Sequence, residues 1–258
     1  MKRTLKYFIR EYLENRPLFF SFIRPQEAYL FYKHLDLLHS PILDFGCGDG
    51  FFAELVFGKK KIDVGLDLKI SRAPESEKQG VYKKVSYYDG ITIPFKDNYF
   101  RTTVSNCVLE HLPYLQKNLA EIYRVLKPGG FFITTVMADK WEQTQLGAKL
   151  LGNTYRNYMR RKQEHSNLLS VKKWESVFKK AGFNVEACEG YLSPTAANVL
   201  DAAHYVSIPS LISYKLTGKW VPFPKLNDVL KLENHIEKII SKTVMPADSS
   251  ALFYVLKK

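Results

Sequence analysis

Short β-prone runs alternate with helical patterns along most of this chain, and that alternation restricts it to a mostly parallel sheet with crossover helices. The first strand is predicted at 42–45 and is followed, after a glycine turn, by a helix over 51–57. "KIDVGLDL" predicts a second strand ending at Asp67, the segment Lys83 to Tyr88 a third, and "TTVSNCV" a fourth. A helix with Leu115, Leu119, Ile122, Tyr123 and Leu126 on one face is expected to stop at Pro128 and the two glycines after it, with a fifth strand over 131–136. Val171, Trp174, Val177 and Phe178 form a further helical stripe, Gly182 ends that helix, a strand begins over 183–191, and "ALFYVLKK" is the last strand. Two stretches stand outside the alternation: 138–167, polar and basic, and 193–248, helical and rich in Tyr, Leu and Ile.

A length of 258 residues suits one large α/β domain with an insertion, able to bury its core without disulfides. The expected layout is a single domain over 1–258. Within it lie an N-terminal helical segment (1–40, with Leu5, Phe8, Ile9 and Tyr12 at helical spacing), a ligand-binding core (41–192 and 249–258) and a helical cap (193–248). Cys47, Cys107 and Cys188 lie far apart and make no metal-ligand pair, so they read as reduced thiols of a cytoplasmic protein without a metal site. The N-terminus lacks the uninterrupted apolar run of a signal peptide, and no window reaches the roughly 18 apolar residues of a membrane-spanning helix. The net charge of +12 favours anionic company: nucleic acid, an anionic lipid surface or an acidic substrate. Lysine is scattered and the aromatics do not interleave with it as base-stacking platforms do, so a merely solvated basic surface is the competing reading.

The glycine turn decides more. Gly46, Gly48 and Gly50 stand two apart, whereas a dinucleotide fingerprint needs its third glycine where this chain has Phe51. Asp44 and Asp49 flank the turn, and two carboxylates at its mouth suit a cationic ligand better than a pyrophosphate. Asp67 ends the second strand about 20 residues on, where an acid in such folds accepts from ribose hydroxyls. Asp89 ends the third strand, where it can accept from an exocyclic amine such as adenine N6. Taken singly, each is explained as well by an ordinary turn or helix cap. Ribose, adenine and a positive charge together describe S-adenosylmethionine.

With "LDFGCGDG", "VGLDL", "YYDGITIPFKDNYF", "SNCVLEHLP" and "EIYRVLKPGGFFITTV" in that order, the chain resembles a class I S-adenosylmethionine-dependent methyltransferase. The subgroup it resembles includes the quinone-biosynthesis and small-molecule O-methyltransferases. The resemblance implies an α/β, Rossmann-like, seven-stranded, mostly parallel sheet with an antiparallel last strand, flanked by helices and carrying a helical cap. It implies that Asp44 and the turn Gly46, Cys47, Gly48 hold the methionine amino end and Asp67 the ribose. Leu68 would then flank the adenine, Asp89 and Gly90 would read its edge, and Asn106 would line the methionine side. Arg101 stands where many members have an acid, which puts in doubt inheritance from any one subfamily.

Glu110 and His111 follow the fourth strand, where an acceptor bearing an exchangeable proton can be met. They are the first candidates for a general base, with packing and hydrogen bonding beside the cofactor as the alternative role. His165 and Tyr155 are weaker candidates. The fourth strand continues into "SNCV" rather than the Asn/Asp-Pro-Pro-aromatic run of base-N-methylating enzymes, so a nucleic-acid base is disfavoured as acceptor. The expectation is O- or C-methylation of a small or lipid-like acceptor, with possible peripheral contact to an anionic membrane. RNA- or protein-directed methylation and a non-catalytic cofactor-binding protein are the alternatives.

Overall fold

The computed structural model describes residues 3–258 except 60, 225, 226, 228 and 229. The first two residues of the expected N-terminal helical segment and four residues of the expected cap therefore lie outside the described residues. By internal contacts the chain divides into two compact units, 1–30 with 139–163 and 190–251, and 31–138 with 164–189 and 252–258. This division differs in extent from the expected segments: 139–163 groups with the N-terminal and insertion helices.

The second unit holds the sheet. Its strands are β1 (Ile42–Phe45), β2 (Val64–Leu68), β3 (Lys84–Tyr88), β4 (Phe100–Asn106), β5 (Leu126–Met137), β6 (Asn184–Gly190) and β7 (Ala251–Lys257), in the order β3-β2-β1-β4-β5-β7-β6. The pairs β3/β2, β2/β1, β1/β4 and β4/β5 are parallel. Reciprocal bonds from Gly129 N–H to the Lys258 carbonyl and from Lys258 N–H to the Gly130 carbonyl mark the antiparallel run of β7 beside β5. The first strand's direct neighbours are β2 and β4, so the strand order reverses there. In open α/β sheets that reversal opens a crevice beyond the carboxyl ends of the strands.

Alternation along β1 assigns its side chains to two cores. Leu43 and Phe45 join a large cluster with Leu66, Phe100, Phe132 and Tyr254. The helices α5 (Leu115–Val125) and α8 (Val171–Lys180) cover it through Leu119, Ile122, Trp174 and Phe178. Ile42 faces the other way into a smaller cluster with Cys47, Ala53, Ala73, Val81 and Tyr82, which draws on α3 (Phe51–Phe57) and α4 (Ala73–Gln79). Asp44, two residues from Ile42, shares this second face.

Strand and helix boundaries differ from expectation by a few residues, two of them with a visible cause. The helix α5 ends at Val125, before Pro128, because the chain already pairs as β5 from Leu126, with Gly129 at φ +75° and its N–H on the terminal strand. The fourth strand stops at Asn106 rather than Val108. Cys107 takes φ +52°, and its N–H turns to Thr135 Oγ1 at 3.0 Å.

The other unit is helical. It contains α1 (Leu5–Asn15), α6 (Lys140–Thr144), α7 (Leu146–Lys162, broken at Gly152), α9 (Pro194–Val206), α10 (Ile208–Thr217) and α11 (Leu232–Ile240). On α1, Thr4 Oγ1 caps the N-terminus and Phe8, Ile9, Tyr12 and Leu13 are buried, as the apolar spacing requires. Buried Asp201 of α9 ties α7 in place, accepting from Gly147 N–H at 3.0 Å and from Tyr155 Oη at 2.7 Å. The three cysteines are free thiols. Among the described residues no helix is long and apolar enough to cross a membrane.

Candidate functional site

The strand ends at the reversal point carry the acids. Behind β1 the turn 46–50 is built from three glycines with φ +80°, +51° and +80°, a region where only glycine sits without strain. The first is also forced by packing, since a Cβ on Gly46 would lie 2.3 Å from Val108 Cγ2. A Cβ on Gly48 would meet nothing within 4 Å, so the chain leaves open space at that atom.

The N–H groups of Cys47 and of all three glycines are already used. Gly46 and Cys47 N–H both donate to the Leu66 carbonyl, and Gly48 N–H donates to Asp67 Oδ2 at 2.8 Å. A pyrophosphate needs those N–H groups pointing outward, so the turn cannot serve one as it stands. None of the hydrogen bonds among the described residues ends on the carbonyl of Gly46 or Gly48, which leaves acceptors for a donor-rich cation.

Asp44 is buried, accepts from Tyr82 Oη at 2.7 Å, and has its carboxyl pushed up to about 7 by burial, with nearby Asp67 adding to the rise. Half-buried Asp67 is fixed at both oxygens, Oδ1 accepting from Leu68 N–H at 2.7 Å, and burial raises it too. The Ser71 side chain also hydrogen-bonds the carboxyl, and the lone pairs that remain can accept from a hydroxyl donor. Among the described residues no Lys, Arg or His forms an ion pair with Asp44 or Asp67. Two neighbouring carboxylates without a counter-cation are relieved by a positive ligand group, so these residues fit a ligand that is cationic at one end and carries a ribose.

Asp49 does not contribute to an open acidic mouth, contrary to expectation. Its Oδ1 accepts from Phe51 N–H at 3.1 Å and its Oδ2 pairs at 2.9 Å with Arg72, a guanidinium it shares with Glu75, so both oxygens are already engaged. Exposed Asp89 accepts from Ile91 and Thr92 N–H through Oδ1, and these bonds hold its carboxyl below the usual range. A Cβ on Gly90 would lie 3.5 Å from Leu68 Cδ2, so the ends of β2 and β3 stand side by side.

Cys47 points into the smaller core, and burial raises its thiol well above the ordinary range; its carbonyl accepts from Gly50 N–H and Tyr82 Oη. Asn106, at the end of β4, accepts from Thr135 Oγ1 at 2.6 Å. The two candidate bases separate: Glu110 is fully buried, whereas His111 is exposed, with Nδ1 3.3 Å from the Glu164 carbonyl and its ring 5.0 Å from that of His165. Tyr155 lies in the helical unit, bonded to Asp201 and to Tyr205 Oη.

Three residues around these acids have no motif to announce them. Tyr82 holds Asp44, and Arg72 pairs with Asp49 while also binding Glu75. Buried Asn118 donates to the Gly90 carbonyl at 3.1 Å. Only Asn118 leaves a sequence signal, a polar residue at i+3 of the apolar stripe that begins at Leu115.

Comparison with known proteins extends this picture. Residues 43–134 match the methyltransferase domain family. The chain is similar to sterol 24-C-methyltransferase of Yarrowia lipolytica, 30% identical over 216 residues that cover 80% of this chain and 52% of that protein. It thus spans about half the length of that relative. Phosphoethanolamine N-methyltransferase 2 of Haemonchus contortus, solved with phosphomonomethylethanolamine and S-adenosylhomocysteine, superposes with a TM-score of 0.58 at 19% identity over 99% of this chain and 58% of that one. A SAM-dependent methyltransferase of Archaeoglobus fulgidus gives 0.54 at 16% identity, covering 91% and 94%. At these identities the two structures establish the fold.

Proposed function

The chain belongs to the class I S-adenosylmethionine-dependent methyltransferases, and from that membership we propose that it methylates oxygen or carbon of a small or lipid-like acceptor. The observation that carries the donor site is the pairing of buried Asp44 with Asp67 beside a turn whose N–H groups are spent. When bound, S-adenosylmethionine supplies a sulfonium methyl, and its displacement needs alignment and exclusion of water more than acid or base. Asp44 and the Gly46 and Gly48 carbonyls would hold the amino end, and Asp67 the ribose hydroxyls. Leu68 and Gly90 would border the adenine, Asp89 Oδ2 would accept from its amine, and Asn106 would line the methionine side. Similarity to a sterol 24-C-methyltransferase over most of this chain supports the lipid-like acceptor.

An acceptor that must lose a proton needs a base, and exposed His111 is the residue proposed for the role. Donation from Nδ1–H to the Glu164 carbonyl selects the tautomer whose Nε2 lone pair is basic and exposed. His111→Ala is expected to lower the rate of the methyl-transfer step by about a hundredfold and leave affinity for S-adenosylhomocysteine unchanged, as read by single-turnover kinetics beside calorimetry. An equal loss in both readouts would assign His111 to packing instead.

Asp44 also sets a pH dependence. A cationic amino end binds the ionised carboxylate, so donor affinity rises with pH up to about 7 and levels above it. The stability effect has the opposite sign: with its folded value raised, Asp44 holds a proton that the unfolded chain has released, so its contribution to stability falls as pH rises from the ordinary carboxylate range to about 7. Tyr82→Phe removes the bond that favours the charged form and should move the binding midpoint upward; calorimetry across pH reads it, and an unmoved midpoint would detach Asp44 from the ligand.

The acceptor class is tested by methyl-labelled donor offered with a lipid extract and with RNA. Label is expected in the organic-soluble fraction, and label in RNA or protein alone would overturn the assignment.

A further inference from the structure

The helical unit carries a surface that methyl transfer alone does not explain. No residue of α10 is buried, although its composition is apolar. Ile208, Leu211, Ile212 and Leu216 recur at i, i+3, i+4 and i+8, which sets them on one face, and Leu216 is 79% exposed. Pro209 aside, the opposite face is polar, with Ser210, Ser213 and Thr217. On α7, Leu150 and Leu151 are 76% and 64% exposed. Monomeric proteins rarely leave this much aliphatic surface in water without a partner.

Charge selects the partner. Segment 143–163 contains the cations Lys149, Arg156, Arg161 and Lys162, with Arg160 already paired to Glu142, and no acid of its own, and segment 202–227 contains three lysines and again no acid. A second copy of the same surface would set like charges face to face. Nucleic acid would want aromatic stacking platforms, whereas this face is aliphatic. Lysine beside exposed leucine and isoleucine on a helix is the pattern of an interfacial element, the alkyl stem lying in the apolar layer and the ammonium among headgroups. Lys215 stands within the apolar stripe in that relation. We propose that α10, with the basic segments of the helical unit, docks on an anionic lipid bilayer, the aliphatic face entering the headgroup boundary and the cations neutralising acidic headgroups. Docking needs neither donor nor acceptor, so it stands or falls separately from the catalytic assignment.

Co-sedimentation of the whole chain with vesicles tests this, comparing pure phosphatidylcholine with phosphatidylcholine and phosphatidylglycerol in equal parts. Binding to the anionic vesicles alone is expected, weakening as salt rises. Ile212→Asp combined with Leu216→Asp should weaken it by about tenfold or more without lowering Tm, because neither side chain supports a core. If that variant fails to fold, the unmodified chain still decides, since Trp220 follows α10 directly while Trp141 and Trp174 are buried. Quenching of its emission by brominated anionic lipid supports insertion, and unchanged emission overturns it. The proposal also fails if the wild type stays in the supernatant at low salt, if the double variant binds undiminished, or if the chain binds RNA but not vesicles.

Discussion

Asp67→Ala is expected to weaken S-adenosylhomocysteine binding by about a hundredfold or more, corresponding to ~3 kcal/mol. Two losses combine. The carboxylate is the acceptor proposed for the ribose hydroxyls, and it also braces the site by accepting from Gly48 and Leu68 N–H at 2.8 and 2.7 Å. Alanine leaves both N–H groups seeking another acceptor and frees the turn that shapes the amino-end site. Asp67→Asn separates the roles: it keeps the shape but turns an NH2 toward one of the two N–H donors, so its affinity should fall between the two. Removing Asp67 also removes a charge that raises the Asp44 carboxyl, so residual binding should titrate at lower pH. Calorimetry of all three proteins at matched pH checks this, and wild-type affinity in Asp67→Ala would separate the acid from the ligand.

Gly46→Ala is expected to destabilise the fold by about 2–4 kcal/mol, the largest stability effect at the turn. Its φ of +80° opposes any side chain, and the new Cβ would sit 2.3 and 2.9 Å from the two methyls of Val108. Valine has little rotamer freedom with which to retreat. Gly48→Ala is the informative contrast. Its φ of +51° is tolerable at about 1 kcal/mol and its Cβ meets nothing, so Tm should drop modestly while donor binding suffers from a methyl in the space assigned to the ligand. Denaturant unfolding and calorimetry together read the pair. In Gly46→Ala with Val108→Ala the steric part should be recovered and the backbone part retained.

The proposed donor site is legible in the sequence where local rules govern it. Parallel βα units put residues that end strands at one edge of the sheet, so Asp44, Asp67 and Asp89 could be placed together from strand ends alone. Glycine spacing excluded the dinucleotide, and the structure supplies the cause, since Leu66 and Asp67 consume the turn's N–H groups. What escaped is non-local. Asp49 reads as an open acid until Arg72 of the next loop is seen beside it. Tyr82 lies outside every motif, yet its hydroxyl sets the environment of Asp44. The early start of β5 depends on Lys258 at the far end of the chain, which no window around Pro128 contains. The grouping of 139–163 with the helical unit likewise rests on Asp201 meeting Gly147 and Tyr155. Glu110 and His111 are neighbours in sequence but differ fully in exposure, because one turn of 3-10 helix directs them oppositely.

The central claim is that the acids at the strand ends hold S-adenosylmethionine. Titration of the wild-type chain with S-adenosylhomocysteine in a calorimeter, with Asp67→Ala alongside, tests it most directly. Saturable heat at one ligand per chain with a dissociation constant in the micromolar range, abolished or severely weakened in Asp67→Ala, is the predicted result. No heat from the wild type, or equal affinity in both proteins, would contradict it.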